Sequence, residues 1–304
     1  MSHDPDATPA RRIRWGRWAA WGLALVVLAA VVVLLARWMR GLEPVQEFLV
    51  AFPGSYPLPE GAPVGLPAWL GWQHFFNAFL LVLVVRTGLE VRAERRPAAL
   101  WTSRRNRRRR MSLTVWLHLA LDALWIVNGV VYVVLLFSTG QWMRIVPTDW
   151  AVIPNAVSAA LQYASLDWPL DNGWVNYNSL QQLSYVAVVF VAAPLAIATG
   201  ARMSALWPRD APRLNRVYRF ELAKAVHLPV MVFFVAFTVV HVALVLATGA
   251  LRNLNHIFAA RDAGDWVGFG IFVLALLGIA AGWALIRPSI VDRIAAAFGE
   301  VTRR

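Results

Sequence analysis

Cysteine is absent from this chain of 304 residues. Its absence excludes disulfides, cysteine-ligated zinc, iron–sulfur clusters and thiol nucleophiles. It also excludes the C-x-x-C-H motif to which haem is covalently attached. A redox centre in this protein therefore needs other ligands, and histidine is the most obvious candidate. Because the chain has only six histidines, each one can be considered in turn.

Charged side chains are also scarce, at 15% of the residues, whereas a soluble domain has about 25%. The apolar residues are concentrated in blocks of about 20 residues, the length needed to cross a bilayer core of about 30 Å. This pattern predicts an all-α membrane protein in which residues 1–304 form a single integral membrane domain. We number the six predicted transmembrane helices as spans 1 to 6, near residues 18–36, 69–89, 112–137, 179–199, 222–248 and 266–286.

Arginine and lysine are unevenly distributed between the loops. The two termini and the loops after spans 2 and 4 contain 22 of these residues, whereas the other three loops contain only three. Basic loops stay in the cytoplasm, so both termini are predicted to be cytoplasmic, although Arg37 and Arg40 at the outer end of span 1 run against this rule. The arginine-rich run 104–110 would suggest nucleic-acid binding in a soluble protein. Since no soluble domain surrounds it, we expect lipid but no nucleic acid as a partner. The arginine- and alanine-rich composition suggests a bacterial inner membrane.

Four of the six histidines lie inside predicted spans, where ionisable residues are rare and usually functional. His74 and His241 lie near the outer ends of spans 2 and 5, and His118 and His227 lie near the inner ends of spans 3 and 5. From the helical rise, each histidine lies roughly 7–11 Å below a membrane surface. The four residues therefore form two levels, one near each side of the membrane.

Span 5 contributes a histidine to both levels. His227 and His241 are 14 residues apart, which places them within about 40° of each other on one helix face. The rise between them is about 21 Å. One helix can therefore supply a ligand to each of two haems, and spans 2 and 3 can supply the opposite ligands. We expect the pairs His74 with His241 and His118 with His227. Two histidines leave no open position on iron, which favours electron transfer over oxygen chemistry.

Two other interpretations of these histidines remain open. They could be unrelated polar residues that form hydrogen bonds between helices, in a protein that serves only as a structural membrane anchor. They could also belong to a proton relay or a metal-ion transporter. Such a pathway should contain carboxylates, and the spans contain one clear buried carboxylate, Asp122.

These motifs resemble those of a known family, the di-haem membrane cytochrome b subunits of hydrogenases, formate dehydrogenases and thiosulfate reductases. The segment His74-Phe75-Phe76-Asn77-Ala78, followed by Thr87-Gly88-Leu89, is similar to the first haem helix of that family. His118 takes the place of the middle ligand, and the two histidines of span 5 resemble those of the last core helix. The resemblance covers about residues 69–248, so it implies that spans 2 to 5 form a four-helix haem-binding bundle.

The resemblance also implies two haem b groups, an exchangeable quinone and a partner redox enzyme. The chain would then transfer electrons across the membrane between the quinone pool and a partner oxidoreductase. Whether quinone is oxidised or reduced at this subunit is left open. The predicted extracytoplasmic loop 138–178 is dense in Trp, Asp, Asn and Pro, and long loops are often functional. We hypothesise that it docks an extracytoplasmic redox subunit; the alternative is a lid over the outer haem.

Four further residues are weaker candidates for contact with a cofactor. Asp122 lies one turn from His118, and it could relay protons to a quinone or accept a hydrogen bond from a neighbouring helix. Arg86 and Lys224 could each pair with a haem propionate or extend toward the membrane surface. Asn77, near the start of span 2, could contact a quinone or bond to a neighbouring helix.

Overall fold

Six helices in the described part of the computed structural model are long and apolar enough to cross a membrane. The structure describes residues 15–169, 172–205, 207–208 and 210–303. The six helices coincide with the predicted spans and keep their numbers: Trp15–Arg40, Ala68–Ala93, Leu113–Ser138, Ser179–Met203, Phe220–Ala247 and Val267–Leu285. The predicted fold class, an all-α membrane protein with six transmembrane helices, is confirmed.

Local sequence explains where two of these spans begin. The hydroxyl of Ser112 accepts a hydrogen bond from the backbone N–H of Val115, which caps the start of span 3. Asn178 and Gln181 form a reciprocal capping box at the start of span 4. Along span 1 the apolar side chains stay exposed, and Leu25 is 65% exposed. A helix that is apolar on all sides needs lipid as its surroundings.

Span 4 is interrupted by a π-helical turn at Ala187–Ala192. Pro194 follows at the start of the next α-helical segment. Proline has no backbone N–H, so a carbonyl one turn earlier lacks its usual donor, and the wider turn accommodates that loss. The extra residue of a π turn rotates the second half of the helix relative to the first half. The π turn therefore helps to set which residues of span 4 face the bundle at each end.

Spans 2 to 5 pack together into one bundle. Leu83 and Leu121 are buried between spans 2 and 3. Val230 and Phe234 are buried between spans 4 and 5. The Trp125 side chain of span 3 packs against both clusters. This tryptophan therefore joins the two helix pairs into a single apolar core.

Spans 1 and 6 make different contacts. Span 6 packs against span 2, where the Phe79 ring lies so close to Gly282 that no side chain fits there. Span 1 is tied at its C-terminal end, where Arg37 donates to the backbone carbonyl of Ser165 at 3.0 Å. Arg40 forms an ion pair with Asp167 at 2.5 Å. These local partners explain how two arginines are accommodated at an end that otherwise has few basic residues.

A folded layer covers one end of the bundle, which we call the loop-rich end. It is built from residues 41–67, 139–178 and 248–266. The predicted loop 138–178 is largely helical in its first half, with helices at Trp142–Ile145 and Val152–Ala164. Helices at Glu43–Ala51 and Ala250–Leu254 and a π-helical turn at Asn255–Ala259 complete the layer. Backbone hydrogen bonds from Gly65 to Trp174 at 2.8 Å and from Ser179 to Gly54 at 2.9 Å join these segments.

The opposite end of the bundle, which we call the arginine-rich end, contains a small sheet that the sequence analysis missed. Strand β1 (Ala99–Ser103) lies between β2 (Arg110–Ser112) and β3 (Gly299–Arg303), and both pairings are antiparallel. Trp101 packs with Val291 and Ala295 of the helix Pro288–Phe298. A short helix, Pro212–Val217, lies in the connection between spans 4 and 5 at the same end of the bundle. The pairing of β1 with β3 joins residues that are far apart in the chain, so no local sequence pattern predicts it.

The tightest helix contact gives a test of this fold. A side chain at Gly268 of span 6 would come within 2.3 Å of the backbone nitrogen of Asn255. We therefore expect Gly268→Ala to lower the free energy of unfolding by about 1–3 kcal/mol, because overpacking forces the backbone to move. Gly270 has open space around it, so Gly270→Ala is the matched control. Thermal unfolding in detergent measures both, and equal stability of the two variants would contradict this contact.

Candidate functional site

At the loop-rich end, His74 of span 2 lies next to His241 of span 5. Their ring centroids are 6.2 Å apart and their planes are inclined by 69°. Phe237 stacks on His241 at 5.5 Å, and Phe258 meets the His74 ring edge-on at 5.9 Å. Tyr185 contacts His241 at 6.5 Å. The structure thus brings this predicted pair together within aromatic surroundings.

The separation of these two rings bears on what could lie between them. A bond from a metal to an imidazole nitrogen is about 2 Å long, and the ring centroid lies roughly 1 Å beyond that nitrogen. Two imidazoles on opposite sides of one metal ion therefore have centroids about 6 Å apart, and the observed distance is 6.2 Å. The nitrogen donors and the aromatic walls fit a haem group, which needs axial ligands and apolar surroundings.

At the arginine-rich end, His118 of span 3 and His227 of span 5 form the second predicted pair. The two imidazoles are close enough to interact electrostatically. Each has the same kind of partner on an adjacent helix. The hydroxyl of Thr87 in span 2 lies 3.0 Å from Nδ1 of His118, and the hydroxyl of Thr199 in span 4 lies 2.8 Å from Nδ1 of His227. The two histidines are therefore held in equivalent ways.

The two threonines also determine which ring nitrogen carries the proton. The hydroxyl of Thr87 donates to the Leu83 carbonyl at 2.9 Å, and that of Thr199 donates to the Leu195 carbonyl at 2.6 Å. A hydroxyl has one hydrogen, so once that hydrogen is donated the oxygen can only accept. This network favours an Nδ1–H on each histidine and a free lone pair on Nε2. A metal-bound histidine usually has the same arrangement, with its second nitrogen donating to a fixed partner.

A glycine follows each of these threonines and lies against the histidine ring, and the approach is tight only at Gly88. A side chain at Gly88 would come within 3.2 Å of Cε1 of His118, and one at Gly200 within 3.5 Å of Cε1 of His227. In the sequence, Thr87 and Gly88 stood out only through the family resemblance, and Thr199 and Gly200 were missed. The repeated Thr-Gly dipeptide near the ends of spans 2 and 4 was the signal that could have identified them.

Asp122 lies beside the second histidine pair. Its Oδ2 atom is 3.6 Å from Nε2 of His118, and its carboxylate also interacts electrostatically with His227. One of the two predicted roles of Asp122 was to accept a hydrogen bond from a neighbouring helix. No such hydrogen bond is present among the described residues. The described residues contain no group of three or more His, Cys, Asp or Glu side chains placed to hold a metal ion.

The structure gives the other three candidate residues different surroundings. Arg86 pairs with Glu90 at 2.9 Å, donates to the Trp283 and Ile286 carbonyls and lies over the Trp283 ring. Its guanidinium is therefore engaged by span 6 and its own helix. Asn77 accepts a hydrogen bond from the Trp125 indole at 2.8 Å, so it does bond to a neighbouring helix. The Lys224 side chain is exposed. That any of these three residues contacts a haem or a quinone remains a prediction.

His256, one of the two histidines that the sequence analysis set aside, is buried in the loop-rich layer. Its Nε2 atom lies 2.8 Å from Asp262, which also receives two hydrogen bonds from Arg252. These hydrogen bonds, chiefly the one from Arg252, hold the pKa of the Asp262 carboxyl well below its usual range. The His256 ring packs against Trp174 at 5.4 Å. This network fixes the π-helical turn that carries Phe258 to the His74 ring.

Comparisons with known proteins do not add to this picture. No protein-family model matches the chain, and neither a curated protein nor a solved structure matches it. The likeness to di-haem cytochrome b subunits therefore rests on the residues and motifs quoted above.

Replacing Thr199 with valine tests the proton assignment on His227. We expect the variant to lose the resonance of one hydrogen-bonded Nδ1–H in the nitrogen NMR spectrum of protein labelled at histidine, because valine cannot accept that bond. Thr199→Ser should restore the resonance. Thr238→Val is the matched control, since the Thr238 hydroxyl also donates to the carbonyl one turn earlier, at 2.8 Å. A histidine spectrum that is identical in Thr199→Val and the wild type would contradict the assignment.

Proposed function

We propose that this protein carries electrons across a membrane through two b-type haems, each held between two histidines. The observation that supports this most strongly is the arrangement of the four histidines in two pairs, one near each end of a single bundle. His74 and His241 would hold the haem at the loop-rich end. His118 and His227 would hold the haem at the arginine-rich end.

The residues around each pair suit such a group. A bound haem with two imidazole ligands supplies one-electron transfer with no open position on iron. Thr87 and Thr199 hold Nδ1 of His118 and His227 and leave Nε2 of each ring without a hydrogen bond among the described residues. At the other pair, stacking by Phe237 restricts the His241 ring. The chain thus positions its ligands before any cofactor binds, which keeps rearrangement small during electron transfer.

Span 5 determines the relation between the two sites. It carries His227 and His241 on one continuous helix, Phe220–Ala247, with a rise of about 21 Å between them. A redox centre near each end of the same helix divides the path of an electron across the membrane into shorter steps. An electron-transfer subunit needs this arrangement, whereas a structural membrane anchor does not.

The proposed setting is a bacterial inner membrane with both termini in the cytoplasm. The distribution of basic residues supports this orientation, because the arginine-rich end carries the excess that marks the cytoplasmic side. The loop-rich end would then face the extracytoplasmic space. In that setting the chain exchanges electrons with the quinone pool and with a partner oxidoreductase, and it is the electron-transfer subunit of the complex.

The main test is a reduced-minus-oxidised absorption spectrum of the purified protein, together with extraction and counting of haem. We expect a b-type spectrum and two haems per chain. Single His→Ala variants at the four bundle positions should each lose at least one haem, because an axial ligand is missing. His3→Ala, which removes a histidine of the N-terminal tail outside the six spans, should keep both. A colourless wild-type protein from cells with sufficient haem would overturn the proposal.

A proton relay or metal-ion transporter is the second candidate. The observation that favours it is the carboxylate of Asp122 beside His118 and His227, because three titratable groups together can pass a proton. A transporter would be colourless and would move protons or metal ions into vesicles. A structural membrane anchor would tolerate loss of all four bundle histidines.

The proposed partner subunit would dock on the loop-rich end. The helix Val152–Ala164 buries one side in that layer and exposes Ile153 and Val157, at 50% and 57%. Trp150 nearby is 88% exposed. Tyr177 of the layer packs on Tyr185 of span 4, which contacts His241 of the first histidine pair. The layer can therefore cover that site and present an apolar surface to a partner at the same time.

Replacing Ile153 and Val157 together with serine tests the docking surface. We expect less co-purification of an oxidoreductase subunit, because exposed apolar area at the contact is lost, and no change in haem content. Val50, which is 84% exposed on the helix Glu43–Ala51 at the same end, provides the control substitution Val50→Ser. Co-purification that survives in the double variant would count against docking at this surface.

A further inference from the structure

Arg144 is a buried cation in the loop-rich layer. It lies in the short helix Trp142–Ile145 and is only 1% exposed. Two of its nitrogens donate to backbone carbonyls, to that of Gly65 at 2.5 Å and to that of Gly173 at 2.6 Å. The guanidinium carbon lies 5.0 Å from the centre of the Tyr177 ring. These neutral partners hold the side chain in place without balancing its charge.

The charge of Arg144 has no counter-ion among the described residues. None of the ion pairs in that part of the chain includes it, and its Nε atom has no hydrogen-bond partner. Burial lowers the pKa of the Arg144 side chain, yet an arginine stays protonated in proteins. A buried charge normally has a partner of opposite sign. Within the described part of the chain, the charge of Arg144 is therefore left unbalanced.

Two polar side chains near the loop-rich ends of spans 2 and 4 also have unpartnered donors. The Gln182 side chain is fully buried, and neither its amide nitrogen nor its amide oxygen has a partner. The indole nitrogen of Trp69 is likewise buried and unpartnered. Trp69 packs against Tyr132 at 6.3 Å, and Tyr132 interacts electrostatically with Tyr177. Most buried polar groups in proteins are satisfied, so these donors indicate a ligand that accepts hydrogen bonds.

Ring contacts connect Arg144 to the first histidine pair. Tyr177 lies between the guanidinium and Tyr185, whose ring is 5.1 Å from that of Tyr177. Tyr185 in turn contacts His241 at 6.5 Å. Two tyrosine rings in mutual contact therefore link Arg144 to His241. At 1% exposure, Arg144 cannot be reached by a lipid headgroup or a dissolved anion unless the layer opens.

We propose that Arg144 binds a carboxylate, and that this carboxylate is a propionate of the haem held by His74 and His241. This inference rests on the proposed function and assigns to Arg144 a binding role that the sequence analysis gave to Arg86 and Lys224. The free Nε–H of Arg144 would donate to this carboxylate, whose negative charge would balance that of the buried guanidinium.

Redox titration of the purified holoprotein tests this assignment. Arg144→Gln removes a positive charge beside one haem, so we expect one of the two midpoint potentials to shift downward while the other stays unchanged. Arg144→Lys keeps the charge and should shift that potential less. Arg261→Gln is the matched control, because Arg261 belongs to the same layer but pairs with Asp265 and is exposed. It should leave both potentials unchanged.

A pair of unchanged potentials in Arg144→Gln, with both haems retained, would overturn the assignment to Arg144. Wild-type protein without haem would instead refute the proposed function itself, so the two failures are distinguishable.

A spectroscopic measurement covers the case in which Arg144→Gln does not fold. Haem labelled with ¹³C at its propionate carboxyl carbons identifies the propionate bands in the infrared difference spectrum between the reduced and oxidised holoprotein. We expect the ionised-carboxylate band of one propionate to shift between the wild type and Arg144→Lys, because the two side chains bind carboxylates with different geometry. Identical propionate bands in the two proteins would overturn the proposal.

Discussion

Water does not reach the interior of a transmembrane bundle, so every polar atom there needs a partner within the protein or on a bound group. This requirement governs the four histidines of the bundle. Thr87 and Thr199 satisfy Nδ1 of His118 and His227, and each can do so because its own hydrogen is donated to a carbonyl one turn earlier. The other nitrogen of each ring keeps its lone pair available, as an axial ligand requires.

The two ends of the bundle meet this requirement in different ways. At the arginine-rich end, hydroxyl groups orient the histidines, and the carboxylate of Asp122 lies beside them. At the loop-rich end, aromatic rings surround His74 and His241, and a buried cation, Arg144, lies behind two tyrosines. Ligand environment, local charge and hydrogen bonding tune the potential of a haem. Two haems in these surroundings would therefore differ in potential, which gives electron transfer between them a preferred direction.

The fold was largely predictable from the sequence because each span is a local feature. A run of about 20 apolar residues spans a bilayer whatever its neighbours are, so all six spans were found close to their observed positions. The parts that were missed depend on distant residues. The sheet at the arginine-rich end joins Ala99–Ser103 to Gly299–Arg303, and a pairing between segments so far apart in the chain has no local sequence pattern.

The sequence by itself determined where the four histidines lie along their helices, because helical rise and rotation depend only on residue number. For that reason it also predicted which of them would approach each other. Only the tertiary structure decided what supports them. Thr199 contacts His227 because span 4, with its π turn at Ala187–Ala192, packs beside span 5. Arg144 is buried because the connection between spans 3 and 4 folds over the end of the bundle. Such contacts depend on how whole elements pack, and no local pattern of residues encodes them.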